Sequence, residues 1–228
     1  MREGEVSNLR VVVSWSTGKD SAWCLHELRI SDEVEVVGLL ATVTPAFGRV
    51  SVHGTRLSLL RAQAEGLGFD VWEVELPYPC ANEDYERVMG GVVRSLVDER
   101  GATHLAFGDL FLEDIREYRE GLLEGTGVEP LFPLWGRDTR ELAGEMEAGG
   151  IDAVIVAAPE SSSVAGLVGT RWSREALKSF PDVDPCGERG EFHTCVIGAP
   201  GLPPIDVEVG EKVQRDGSVY VDLELANG

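Results

Sequence analysis

The chain has 228 residues, 43% of them hydrophobic, enough for a sizeable core in one α/β domain or in a core domain with a small appendage. Its 40 acidic residues against 20 basic ones leave a net charge of -20. A surface that negative repels phosphate backbones and excludes general nucleic-acid binding; it suits solubility, a salt-rich cytoplasm or a partner with a basic surface.

The first predicted strand, Val11–Val13, follows Leu9 and runs into Ser14-Trp15-Ser16-Thr17-Gly18-Lys19-Asp20-Ser21. A helix carrying Cys24, Leu25 and Leu28 comes next. A small-residue turn between strand and helix aims backbone N–H groups and a positive helix end at one spot, and such a spot holds phosphate. An ordinary strand-to-helix turn with good caps uses the same residue types. The loop is not a Walker A motif, because Val13 stands at that motif's first glycine and Asp20 at its hydroxyl position. Ser16, Thr17 and Ser21 offer hydroxyls, Gly18 allows close approach of an anion, and Lys19 supplies a point charge. Asp20 suits a phosphate site only beside a divalent cation, or as a helix cap.

Val34–Leu40 is the second predicted strand, followed by His53 in a Gly/Thr-bounded loop. A lone histidine there reads as structural or solvated, though its nearness to the second strand leaves a contact with nucleotide or substrate open. Leu57, Leu60, Ala64 and Leu67 have helical spacing, as do Tyr85, Val88, Met89, Val92 and Leu96. Gly90 and Gly91 weaken the second helix by about 1 kcal/mol each. Val71–Leu76 and His104–Phe107 are the third and fourth strands. Glu113, Asp114, Arg116, Glu117 and Arg119 read as a mixed-charge helix face, with pairs worth about 0.3 kcal/mol each. Trp135 and Trp172 read as core, with partner anchoring as the alternative. Asp138 and Glu141 resemble a capping arrangement for a helix through Leu142 and Met146, and Ile151–Ala157 is a later strand.

Short β-branched strands alternating with helices predict an α/β fold with a doubly wound parallel sheet, whose ligands bind beyond the carboxyl ends of the strands. The last third differs. Gly198 to Pro204 breaks regular structure, Asp216-Gly217 is a tight-turn signal, and Val219, Val221, Leu223 and Leu225 alternate, which predicts a half-buried β-hairpin. Cys24, Cys80, Cys186 and Cys195 form no C-x-x-C pair, which speaks against zinc or a disulfide framework and for free thiols in a reducing cytoplasm. No apolar run reaches transmembrane length, and Met1 to Arg10 is charged rather than signal-like, so a cytoplasmic protein without membrane attachment is expected.

Ser16-Thr17-Gly18-Lys19-Asp20-Ser21 resembles the Ser-Gly-Gly-x-Asp-Ser signature of the PP-loop ATP pyrophosphatases, with Thr17 at the first glycine. Its hydroxyl is then expected to bond phosphate. Asp184-Pro185-Cys186-Gly187-Glu188-Arg189-Gly190-Glu191-Phe192-His193-Thr194 is similar to the Gly-Glu-x-Gly-Glu-(Phe/Tyr)-(His/Glu)-Thr element of the diphthine–ammonia ligase family. Gly108-Asp109-Leu110, Tyr118-Arg119-Glu120 and Pro133-Leu134-Trp135 look like the middle of the same family. The resemblance spans roughly Val11 to Pro200, and three motifs in the right order are far more specific than one.

The resemblance implies a Rossmann-like PP-loop domain at 1–130 and a small α+β substrate subdomain with a hairpin end at 131–228. It implies ATP with Mg²⁺: AMP is transferred to a carboxylate, such as a modified side chain of an elongation factor, pyrophosphate leaves, and ammonia displaces AMP to leave an amide. Ser16, Thr17, Gly18, Lys19 and Ser21 would then bind the phosphates, and Asp20 the metal through water. Ser14, Ala41 and Thr42 would line the adenine pocket, and Gly108 and Asp109 would close the site. Glu188, Glu191 and His193 would face substrate or ammonia, Glu191 or His193 deprotonating the amine, with Lys19 as a fourth catalytic residue. His193 stands where eukaryote-like members have an acid. Alternatives are a PP-loop ATPase acting on another carboxylate or carbonyl, and a nucleotide-sensing protein without turnover. Sulfur insertion into tRNA is disfavoured by the acidic surface and the absence of paired catalytic cysteines. The oligomeric state is open, a homodimer included.

Overall fold

The computed structural model describes residues 9–51 and 53–226. In chain order the elements are β1 (Leu9–Ser14), α1 (Lys19–Arg29), β2 (Val34–Thr44), β3 (Arg49–Val50), α2 (Leu57–Leu67), β4 (Val71–Glu75), α3 (Asn82–Arg100), β5 (His104–Ala106), α4 (Glu113–Leu123) and β6 (Glu129–Leu131). They are followed by α5 (Thr139–Ala148), β7 (Asp152–Pro159), a 3₁₀ turn at Ala165–Leu167, α6 (Arg174–Leu177), β8 (His193–Gly198), β9 (Val207–Arg215) and β10 (Ser218–Leu225).

The first sheet runs β4-β2-β1-β5-β6 with every pair parallel, and β3 adds a short antiparallel segment at the end of β2. Side chains alternate across it as strand geometry requires. Val11 and Val13 of β1, with Leu39, Ala41 and Val43 of β2, pack against α1 and α2. Val12, Leu40, Val74 and Leu105 point the other way, onto Met89, Val93 and Leu96 of α3. A sheet buried on both faces is doubly wound, and each buried Val or Leu contributes about 1.5–3 kcal/mol relative to exposure. The order reverses direction between β1 and β5, so the crevice beyond their carboxyl ends is the natural ligand position.

The second sheet, β8-β7-β10-β9, is antiparallel. The segment expected as a further parallel strand, Ile151–Ala157, is therefore corrected: as β7 it is a central antiparallel strand. Both environments bury a strand on two faces, so a continuous apolar run does not encode direction. The hairpin β9–β10 turns at Asp216 and Gly217, both at positive φ (52° and 75°), as a two-residue turn of primed type demands. Val219, Val221 and Leu223 of β10 join the apolar cluster that also holds α1, α2 and α5, so the two sheets share a core. Arg49 and Arg56 both donate to the Asp222 carboxylate, pinning the hairpin to the first sheet; burial would raise its pKa, but these bonds win and hold it at about 2. Asp138 caps α5 through the Arg140 and Glu141 N–H groups, as expected. No helix among the described residues is long and apolar enough to cross a membrane, and the four cysteines are unpaired.

Candidate functional site

The bend after β1 is held by the second sheet. Thr17 sits at φ 70°, a left-handed conformation that costs a β-branched residue about 1–3 kcal/mol. The contacts around it offset that strain. Its carbonyl accepts the Val196 N–H at 2.9 Å, and its hydroxyl pairs with Thr55 at 2.8 Å. Gln63, 0% exposed, accepts from Trp15 Nε1 at 2.8 Å and donates to Val196 O at 2.7 Å. The expected phosphate contact of the Thr17 hydroxyl is thus corrected: the hydroxyl is engaged inside the protein. Gly18 is required for a different approach, since a Cβ there would lie 2.6 Å from His53 Cε1.

At the start of α1 the Lys19 N–H donates to Thr194 Oγ1 at 3.2 Å. Helix geometry leaves the Asp20 and Ser21 N–H groups without acceptors in the helix itself. Gly108, just past β5, backs directly onto them; a Cβ there would lie 2.9 Å from the Asp20 carbonyl carbon and 3.1 Å from Ser21 N. Lys19 is 1% exposed, between Trp172 and Phe192. Its Nζ donates to both Asp20 oxygens, at 2.9 and 2.8 Å, and to the Cys186 carbonyl. Burial works against this ammonium, but the Asp20 carboxylate outweighs it and holds the Lys19 pKa above its usual value. The expectation of a free point charge for phosphate is replaced by a lysine that ties α1 to the loop before β8.

That loop is wound on two carboxylates. Asp184 accepts the N–H groups of Cys186 and Glu188, at 3.2 and 3.0 Å. Glu191 accepts those of Asp184 and Arg189, also at 3.2 and 3.0 Å. The structure therefore does not bring Glu191 to the reaction space: both of its oxygens serve the loop. Glu188 is the acid left facing inward. It accepts the Leu110 N–H at 2.7 Å, and burial, against that bond and with Asp20 and Asp109 nearby, raises its pKa to about 7.

His193 and His53 face each other with ring centroids 4.9 Å apart. His53 Nδ1 lies 3.0 Å from the Thr194 carbonyl. A carbonyl only accepts, so Nδ1 carries the proton and Nε2 keeps its lone pair. Burial, then the neighbouring His193, lowers His53 to about 3; burial, then the Lys19 charge, lowers His193. Both rings are neutral at pH 7.

These groups surround a polar cavity of about 360 Å³. Of the expected residues, Ser14, Ser16, Lys19, Asp20 and Ser21 line it from the first strand and helix, Gly108 and Asp109 from beyond β5, and Glu188 and His193 from the second sheet's side. A more apolar chamber of about 400 Å³ adjoins it, sharing Ser14, Ser16, Phe107, Ile115 and Arg119, and Thr42 lines this one. Thr17 and Gly18 support the walls without forming them. Ala41, one residue out of phase with Thr42 on β2, points into the core instead. His53 and Arg119 enter the walls as well: His53 reads from sequence as structural with a ligand contact left open, and Arg119 stands in the Tyr118-Arg119-Glu120 motif whose resemblance makes it a substrate-site suspect.

Asp20, Asp109 and Glu188 put three carboxylates on the polar chamber. Among the described residues no three or more His, Cys, Asp or Glu side chains form a metal cluster. Mg²⁺ carried by a nucleotide needs only one or two carboxylates, phosphates and water completing its shell. The donor set fits such a cation.

The diphthamide synthase N-terminal domain family matches residues 9–130, and no curated protein matches the chain. The matched segment holds the bend after β1, Gly108, Asp109 and Arg119. With more than half its length matched and the parallel sheet in place, the chain belongs to the diphthamide synthase family, of PP-loop type.

Proposed function

We propose that the protein is an ATP-dependent adenylating ligase that makes an amide from a carboxylate and ammonia, releasing AMP and pyrophosphate. One observation carries this reading: an apolar chamber sized for a nucleoside opens into a polar chamber at the open end of α1, in a chain of this family. Adenine lies among Leu40, Met89, Phe107 and Tyr118. The phosphates extend over the Asp20 and Ser21 N–H groups, where the helix dipole favours negative charge. Glu188, with Asp20 acting through water, would hold Mg²⁺, which would supply charge neutralisation to the leaving pyrophosphate.

A carboxylate is a poor acyl donor because its leaving group would be oxide. Its oxygen attacks the α-phosphorus, the bond to pyrophosphate breaks, and the acid becomes an acyl adenylate. Ammonia then adds to the acyl carbon, AMP departs, and the surplus proton passes to a neutral imidazole, His193 or Nε2 of His53. Residues 1–130 hold the nucleotide, and 131–228 close the cavity and present the acyl group. A cytoplasmic setting agrees with the unpaired cysteines.

The test is product analysis with Mg-ATP, ammonium and an elongation factor bearing the acid. AMP and pyrophosphate in equal amounts, with an amide found by mass spectrometry, are expected. ADP and phosphate, or binding without turnover, would contradict the reading; amide formation on a small acid alone would move it to another carboxylate. Gly108→Ala should cost about 1–3 kcal/mol of stability by denaturant titration and weaken ATP binding, because the new methyl group presses on the helix end.

A further inference from the structure

We infer that Arg119 is the ligand of the nucleotide's α-phosphate, an assignment that rests on the nucleotide reading above and deepens it. Arg119 projects from α4 to the seam where the apolar and polar chambers meet, and it lines both. A nucleotide with its base in one chamber and its outer phosphates in the other crosses that seam at the ribose and the α-phosphorus.

The guanidinium is placed but not consumed. It stacks over Phe107, 4.8 Å from the ring centre, and Nη1 reaches the Tyr85 hydroxyl at 3.4 Å. Nε is buried and has no hydrogen-bond partner among the described residues. The nearest carboxylate oxygen, Asp109 Oδ2, stands 3.6 Å away, too far for a good bond. A buried N–H without an acceptor is unfavourable and calls for one.

The other cations nearby are committed. Lys19 is held by Asp20 and the Cys186 carbonyl. Arg116 lies over Phe132 and Trp135 and pairs with Glu120. Among the described residues the polar chamber therefore faces a polyphosphate with carboxylates and a single uncommitted guanidinium. Its planar fork matches two phosphate oxygens. At the α-phosphorus it meets the charge that grows during adenylation.

The experiment is calorimetric titration of the wild-type protein, Arg119→Lys and Arg119→Gln with adenosine, AMP and α,β-methylene-ATP in the presence of Mg²⁺. The lysine variant keeps the aliphatic stem over Phe107 and guards against loss of fold. Adenosine should bind all three within roughly twofold, whereas AMP and the analogue should weaken about tenfold or more in Arg119→Gln, with Arg119→Lys between. A purely structural arginine would weaken adenosine and AMP by the same factor, and that result overturns the assignment, as does unchanged AMP affinity. Equal binding of adenosine and AMP to the wild-type protein also overturns it while leaving the nucleoside chamber standing. Failure of the wild-type protein to bind any of the three brings down the nucleotide reading itself.

Discussion

Lys19→Met should cost about 3–5 kcal/mol of folding stability, a large part of the margin of an ordinary domain. Lys19 Nζ is buried against Asp20 and the Cys186 carbonyl, so its removal strips that carboxylate and that carbonyl of the cation they share. It also unties α1 from the loop that carries Glu188. Pyrophosphate release should vanish with it. Lys19→Met combined with Asp20→Asn should regain much of the stability, because no charge is then stranded, but not the turnover, because the proposed ligand of the cation is lost. Urea titration of the three variants measures this. An unchanged midpoint in Lys19→Met would show that the buried pair does not bind α1 to the loop.

Glu188→Gln should remove a pH dependence that the native protein carries. In the unfolded chain this carboxyl ionises near 4.5; in the fold it holds its proton up to about 7. Between those values the native state binds the extra proton, so nucleotide-free protein should lose stability as pH rises across that window. The glutamine keeps the acceptor for the Leu110 N–H but cannot ionise, so the slope should flatten. With Glu188 in its proposed place beside the cation, activity should move the opposite way with pH, rising through about 7 as its carboxylate forms. The variant should lose about 10–100-fold in turnover and in sensitivity to Mg²⁺. Melting temperatures from pH 4.5 to pH 8 read the first effect. The same slope in the variant would locate the proton elsewhere.

What was legible in the chain follows from the range of the interactions. The helix at Leu57–Leu67 and the cap at Asp138 depend on neighbours within a few residues, and their spacing announces them. The bend after β1 is legible as a turn from its small residues, whereas the left-handed backbone of Thr17, at φ 70°, is not announced by a β-branched residue. β6 was not seen: its three residues include Pro130 and carry no periodicity. The direction of β7 depends on partners that arrive dozens of residues later. The site shows the same division. Gly108, Asp109 and Glu188 were named from motifs and reach the cavity. Glu188 and Glu191 look alike as acids in one loop, and only the loop's folding sends one inward and the other to the backbone. His53 reads as structural or solvated, with a ligand contact left open, because its placement depends on Thr194, 141 positions away. The tie between Lys19 and the Cys186 carbonyl, 167 positions away, leaves no local trace in the sequence.

The decisive measurement is a crystal structure with Mg²⁺ and α,β-methylene-ATP. Adenine among Leu40, Met89 and Phe107, the α-phosphate at Arg119, and the outer phosphates over the start of α1 are the expected result. A nucleotide bound elsewhere, or side chains closed over Ser16 to Ser21 with both chambers empty of it, would contradict it.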